Sequence, residues 1–294
     1  MKVRANGIEI EVEEHGSPAG EPLLLIMGLG MQLIAWPDAF VQALVQRGFR
    51  VIRFDNRDAG LSQGFDELGV PNLMWGALRY RLGLPVRAPY TLDDMADDAL
   101  GVLDALGVAR AHVCGASMGG MIGQALAARA PQRVLSLTLM LTSSGARHLP
   151  QASLEVQRAL LNRPRRGSGP QDVVGHMEAF FRLIGSPAYP TDPQRLRELV
   201  QAAVRRAYRP AGQVRQLMAV AAHGDRSAML ARIRCPVHIV HGAVDPLIPS
   251  AAAHDLATKI RSATLDLVDG MGHDLPLPLV PRFAQGIVGN ASRA

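Results

Sequence analysis

Apolar and polar positions along this chain switch between two periods. Val3 to Ala5 and Ile8 to Glu13 alternate residue by residue around Asn6-Gly7. An Asn-Gly pair between two such runs is a strong hairpin cue, because both turn residues tolerate positive φ. Leu23 to Met27, Val51 to Phe54, Ala111 to Cys114, Val134 to Leu141, Val237 to His241 and Thr264 to Val268 read as buried or half-buried strands. Between them lie helical spacings at Asp38–Gln46, Leu92–Leu106, Met121–Ala130 and Ala251–Ile260, the first two ending near Gly48 and Gly107. Strands alternating with helices predict a mostly parallel central sheet flanked by helices, an α/β fold.

Two segments break this rhythm. From Gly145 to Ile233 the periodicity is helical throughout, with runs at Leu154–Leu161, Asp172–Ile184, Gln194–Tyr208 and Gln213–Ala222 separated by prolines. The expectation is a core of residues 1–144 and 234–294 with a helical cap, 145–233, inserted between two strands. Asp66 to Pro89 is a second, smaller excursion carrying Trp75 and Tyr80. It leaves the sheet at the carboxyl ends of the strands, where open α/β sheets bind ligands, so it reads as a surface loop or a flap.

Composition narrows the class. The 294 residues are 48% hydrophobic and 19% charged, as in an ordinary globular enzyme. The net charge of +5 comes almost wholly from arginine. Arg163, Arg165 and Arg166 cluster, as do Arg205 and Arg206, but no long basic run or nucleic-acid-binding module accompanies them, which argues against nucleic acid as a partner. No signal peptide and no apolar stretch of membrane-spanning length is visible, so no membrane association and a cytoplasmic setting are expected. Cys114 and Cys235 lack metal-ligand spacing and read as two buried thiols. Oligomeric state is not encoded in any of these patterns.

The chemistry centres on Gly115-Ala116-Ser117-Met118-Gly119, between a strand and a helix. That context makes G-x-S-x-G a nucleophile elbow, a turn so tight that its flanking positions must be nearly side-chain-free. A serine hydroxyl is a weak nucleophile until a base takes its proton. In elbows of this type the partners follow in the order serine, acid, histidine. Asp245 stands four residues beyond the strand Val237–His241, and His273 follows Thr264–Val268 in Gly270-Met271-Gly272-His273. Both loops leave the strand ends on the rim that carries the serine. His254 lies in a helical run and Asp266 in a strand. Asp269 and Asp274 are too close in sequence to His273 to buttress its ring, and Leu135 to Pro150 holds no acid.

An oxyanion hole needs two backbone N–H groups. Met118, after the nucleophile, supplies one at a helix start. Leu29, after the strand Leu23–Met27, is expected to supply the other, with Gly28 keeping the backbone accessible. Phe180 and Phe181 in the cap, and Trp75 in the smaller insertion, are candidates for an apolar substrate wall. Asp55-Asn56-Arg57-Asp58-Ala59-Gly60-Leu61-Ser62 reads as a loop scaffold, with Asp55 and Arg57 tying loops together beneath the site.

Taken together, Met27-Gly28-Leu29-Gly30, the D-x-R-x-x-G-x-S segment Asp55–Ser62, the elbow at Ser117, His241-Gly242-x-x-Asp245 and Gly272-His273 resemble the α/β-hydrolase superfamily over nearly the whole chain. Trp36-Pro37-Asp38-x-Phe40 and the Asp55 segment look like the group of aclacinomycin methylesterases and bacterial carboxylesterases. The resemblance implies a serine carboxylic-ester hydrolase acting on a small-molecule ester of small to medium size, through an acyl-enzyme and without metal or organic cofactor. The same three residues also serve perhydrolases, C–C hydrolases and acyltransferases of this fold, which remain alternatives. An aspartate-nucleophile dehalogenase is disfavoured by Ser117, and a ligand receptor on a hydrolase scaffold by the complete set of partners.

Overall fold

Asn6 and Gly7 both take positive φ, 48° and 79°, the pair of angles a two-residue hairpin turn demands. They join strand β1 (Lys2–Ala5) to β2 (Ile8–His15), with Ala5 opposite Ile8. The computed structural model describes residues 1–162 and 169–294. The Arg163, Arg165 and Arg166 cluster therefore lies outside the described residues.

After β2 come β3 (Glu21–Ile26), helix α1 (Asp38–Val45), β4 (Phe49–Phe54), α2 (Leu73–Arg81), α3 (Leu92–Ala105), β5 (Ala111–Ala116), α4 (Met118–Arg129) and β6 (Val134–Met140). Helices α5 (Leu154–Leu161), α6 (Pro170–Ile184), α7 (Pro193–Arg206), α8 (Pro210–His223) and α9 (Ser227–Leu230) follow. The chain closes with β7 (Val237–Gly242), α10 (Ala251–Lys259), β8 (Ala263–Val268) and α11 (Val280–Ala291). Among the described residues between β6 and β7 there are helices but no strands, as the 3.6-residue spacing predicts. Helix α4 starts three residues earlier than its apolar pattern, because the turn at Ser117 feeds straight into it.

The eight strands form one sheet in the order β1-β2-β4-β3-β5-β6-β7-β8. Only the β1–β2 and β2–β4 pairs are antiparallel. Both faces are covered, which explains the continuous apolar runs. Alternate residues go to opposite sides: Leu24, Ile26 and Val113 join α3, α4 and α10, whereas Leu23, Leu25 and Cys114 join α1 and α11. Helix α11 has no counterpart in the sequence reading; Phe283, Ala284 and Ile287 on its inner face complete the second layer. Each fully buried Leu, Ile or Phe is worth roughly 1.5–3 kcal/mol relative to exposure.

The chain leaves β3 toward β4 on one side and returns to β5 on the other. The carboxyl ends of β3 and β5 lie side by side, with Ile26 opposite Gly115. This is the topological switch point, where a crevice opens in an α/β sheet. The loops after these two strands carry Gly28–Gly30 and Ser117.

Of the two cysteines, Cys114 is buried but Cys235 is only half-buried, a correction to the expectation of two buried thiols. Cys235 sits just ahead of β7, where the chain is still entering the sheet. Burial pushes its thiol up to about 11. No described helix is long and apolar enough to cross a membrane.

Candidate active site

Ser117 has φ 54° and ψ −118°, a left-handed conformation that costs a non-glycine residue roughly 1–3 kcal/mol. The surroundings hold it there. Its N–H donates to Met140 O at 2.9 Å, and Thr142 Oγ1 donates to its carbonyl at 2.7 Å. The flanking glycines have a measurable reason. A Cβ on Gly115 would come within 2.2 Å of Gly119 O, and one on Gly119 within 2.0 Å of Ile26 O.

His273 Nε2 lies 3.1 Å from Ser117 Oγ, and His273 Nδ1 lies 2.7 Å from Asp245 Oδ2. The structure thus brings the three sequence-predicted residues into one line. The Asp245 side chain is fully enclosed. Its other oxygen, Oδ1, accepts N–H groups from Leu247 at 2.9 Å and Ile248 at 2.8 Å. Behind it stands His241, whose Nε2 faces Ile248 O at 2.8 Å and Asp245 Oδ2 at 3.5 Å. Burial pushes the His241 pKa down against the opposing pull of Asp245. Ile248 O can only accept, so His241 Nε2 is the donor in that bond.

The histidine loop is fastened from the helical insertion. His273 N–H donates to Ile184 O at 2.7 Å and Gly272 N–H to Ser186 Oγ at 2.9 Å. Asp274 accepts from both Ser186 N–H, at 3.2 Å, and Ser186 Oγ. Burial raises the Asp274 pKa, and its bonds to Ser186 oppose that. Nothing in sequence spacing marks Ser186; it is met only once the α6 carboxyl end packs on this loop.

Leu29 stands on the loop after β3, and Met118 follows Ser117 in the chain. Met118 opens α4, so its N–H has no acceptor within the helix. Gly28 packs directly on the serine: a Cβ there would sit 3.2 Å from Ser117 Cβ. Met31 N–H donates to Gly28 O at 3.2 Å, closing a turn over Gly28–Met31.

The Asp55–Ser62 segment is the scaffold its sequence predicts. Asp55 accepts Leu33 N–H at 2.7 Å, Leu61 N–H at 2.8 Å and Arg206 Nη1 at 2.7 Å. Arg57 makes a two-point pair with Asp98 at 2.6 and 2.7 Å. Gly60 is bare because a Cβ would reach within 2.0 Å of Asp55 Oδ2.

A cavity of about 290 Å³ is lined by Tyr80, Met121, Leu149, Met218, Leu247 and Ile248 among others; Ser117, Asp245 and His273 are not among its lining residues. Met121 is one turn along α4 from Ser117, and Leu247 and Ile248 follow Asp245 directly. Trp75, Phe180 and Phe181 do not line it. Trp75 is 58% exposed; the same helix α2 instead turns Leu73, Gly76 and Tyr80 inward. Phe180 borders a separate depression with His176 and Leu183. Among the described residues no group of three or more His, Cys, Asp or Glu side chains is placed to hold a metal ion.

Comparison with known proteins matches residues 21–277 to a family model described as alpha/beta hydrolase fold. The chain is 32% identical to a rhodomycin D methylesterase of Streptomyces sp. (strain C5), covering 96% of this chain and 94% of that protein. It is also 32% identical to the rhodomycin D methylesterase of Streptomyces peucetius, with the same coverage. Among solved structures, an enol-lactonase from Burkholderia xenovorans superposes with a TM-score of 0.76 at 22% identity, over 99% of this chain and 100% of that one.

Proposed function

Because the chain belongs to the alpha/beta hydrolase fold family, we propose that it is a carboxylic-ester hydrolase with Ser117 as nucleophile, His273 as general base and Asp245 as the group that orients the base. The observation that carries this reading is the hydrogen-bonded line from Asp245 Oδ2 through His273 to Ser117 Oγ, at 2.7 and 3.1 Å.

The carboxylate at Nδ1 selects the tautomer with a proton there, leaving the Nε2 lone pair for the serine O–H. Ser117 Oγ attacks the ester carbonyl as its proton passes to Nε2. The resulting imidazolium is stabilised by the enclosed Asp245 carboxylate. The N–H groups of Leu29 and Met118 receive the negative charge on the tetrahedral oxygen, each worth about 3 kcal/mol of barrier. His273 then protonates the leaving alcohol, and water repeats the sequence on the acyl-enzyme.

Residues 145–233 act as a cap, covering the rim and walling the cavity with Leu149 and Met218. That cavity, largely apolar, suits a small to medium acyl or alcohol group. The relatives named as methylesterases make a methyl ester the first natural substrate class to try. The two free thiols suit a reducing, cytoplasmic setting.

Ser117→Ala is expected to abolish p-nitrophenyl butyrate hydrolysis with an unchanged melting temperature. A fluorophosphonate is expected to label the wild-type protein and not the variant. Hydrolysis retained by Ser117→Ala overturns the reading.

A further inference from the structure

Gln216 is fully buried on α8, in the helical insertion, yet both ends of its amide reach the core. Its Oε1 accepts the Gly30 N–H at 2.7 Å, and its Nε2 donates to Arg57 O at 2.7 Å. The amide orientation is unambiguous, because one partner only donates and the other only accepts. Arg57 is itself fixed by its two-point pair with Asp98, so Gln216 ties the Gly28–Met31 turn to a rigid anchor. Helix α8 also crowds Gly30, where a Cβ would meet Gln213 Cγ at 2.9 Å.

The turn's geometry gives this tie a consequence. Peptide groups are planar, with C=O and N–H pointing in opposite directions. The Gly28–Leu29 peptide is held by Met31 N–H on Gly28 O, which aims the Leu29 N–H the other way. The next peptide, Leu29–Gly30, is held by Gln216 through the Gly30 N–H. Both planes flanking Leu29 are thereby fixed, one by the turn and one by the insertion.

Resting on the ester-hydrolase reading above, we propose that Gln216 is a positioning residue that aims the Leu29 N–H at the tetrahedral oxyanion, so that docking of the insertion completes the oxyanion hole. Gln216 touches no reacting atom. Its loss misaligns a donor whose benefit is felt in the transition state more than in the ground state.

The test compares wild type, Gln216→Met and Gln216→Glu with p-nitrophenyl butyrate and a trifluoromethyl ketone, whose adduct on serine carries the oxyanion. Outright loss of one oxyanion donor costs roughly 10²–10³-fold in kcat, so misaiming it in Gln216→Met is expected to cost about 10- to 100-fold. KM is expected to stay within about threefold, and the ketone Ki to weaken by the same factor as kcat. In Gln216→Glu the new carboxyl group, once protonated, reproduces both contacts, its carbonyl oxygen accepting from the Gly30 N–H and its hydroxyl donating to Arg57 O. The activity of Gln216→Glu relative to wild type is therefore expected to rise as pH falls from about 8 to about 6, as protonation restores the donor. Unchanged kcat and Ki in Gln216→Met, a loss confined to KM, or loss of cooperative melting in both variants overturns the assignment while leaving the ester-hydrolase reading intact. A wild-type protein with neither ester turnover nor fluorophosphonate labelling overturns both.

Discussion

Arg215 and Asp58 form a two-point ion pair sealed from solvent, Nε to Oδ2 at 2.7 Å and Nη2 to Oδ1 at 2.7 Å. The first residue belongs to α8 and the second to the loop after β4, so the pair welds the helical insertion to the sheet. Tyr90 Oη donates to the same carboxylate at 2.8 Å and Phe65 N–H at 2.9 Å. Burial alone would raise the Asp58 pKa, but these donors, Arg215 foremost, outweigh it and hold the pKa below its ordinary value.

Removing one partner strands the other charge. Arg215→Met is expected to lower unfolding stability by about 3–5 kcal/mol, the usual cost of an unpaired buried charge. Asp58→Asn in the same chain is expected to recover part of that loss. Urea unfolding of the two single variants and the double variant measures the coupling, and strict additivity would deny it. The lowered pKa also sets a direction with pH: the Asp58 contribution is complete above 3.8 and is lost as pH falls through the folded value.

Asp245→Asn separates orientation from architecture. The amide oxygen keeps the bonds from Leu247 and Ile248 N–H, which leaves the NH2 group facing His273 Nδ1. That donor forces the imidazole to carry its proton on Nε2, where it can no longer accept from Ser117. A fall in kcat of about 10⁴-fold with little change in melting temperature is expected. Stopped-flow or steady-state ester hydrolysis measures it; a loss under about tenfold would be incompatible with the proposed role.

The elbow and its partners were legible because each stands at a forced position. A turn that brings backbone within 2.2 Å of a Cβ on Gly115 leaves a mark in composition, and loops after parallel strands share a rim. The central strands were legible because a sheet covered on both faces favours apolar runs, and the β1–β2 hairpin by its alternation around Asn6-Gly7. What stayed hidden depended on rotation about an axis. The apolar residues of helix α2 (Leu73, Met74, Trp75, Ala77, Leu78) spread over about 200° of its circumference, too wide an arc to single out the inner face, and Trp75 is exposed where the sequence proposed a wall. Gln216 and Ser186 are uncharged polar side chains in the insertion, ordinary in sequence; only docking against Gly30 and the histidine loop gives them these partners. Helix α11 carries a signal too, Val280, Phe283, Ala284 and Ile287 at helical spacing.

Two glycines near the serine should respond differently to the same methyl group. Gly119→Ala places a Cβ 2.0 Å from Ile26 O, a methyl group against backbone with no flexible side chain to yield, and is expected to prevent accumulation of folded protein. Gly28→Ala meets Ser117 Cβ at 3.2 Å and Ala116 O at 3.3 Å, a clash relieved by shifts of a few tenths of an ångström. The folded state is expected to survive with kcat reduced about 10-fold, because small misplacements in an active site are costly. Expression yield, melting temperature and kcat for the two variants make the comparison.

His241 gives the protein an acid-side weakness. Its side chain is fully enclosed and burial holds its pKa below the ordinary 6.5. The unfolded chain takes up the proton first as pH falls, so stability is intact above about 6.5 and declines below it, until the folded value is also passed. His223 and His238 are shifted the same way, each first by burial, and add to the slope. His241→Gln removes one titrating group while its amide keeps a donor for Ile248 O. The urea midpoint of this variant is expected to fall less steeply between about pH 7 and about pH 5 than that of the wild type. Parallel slopes would mean that the proton is taken up elsewhere.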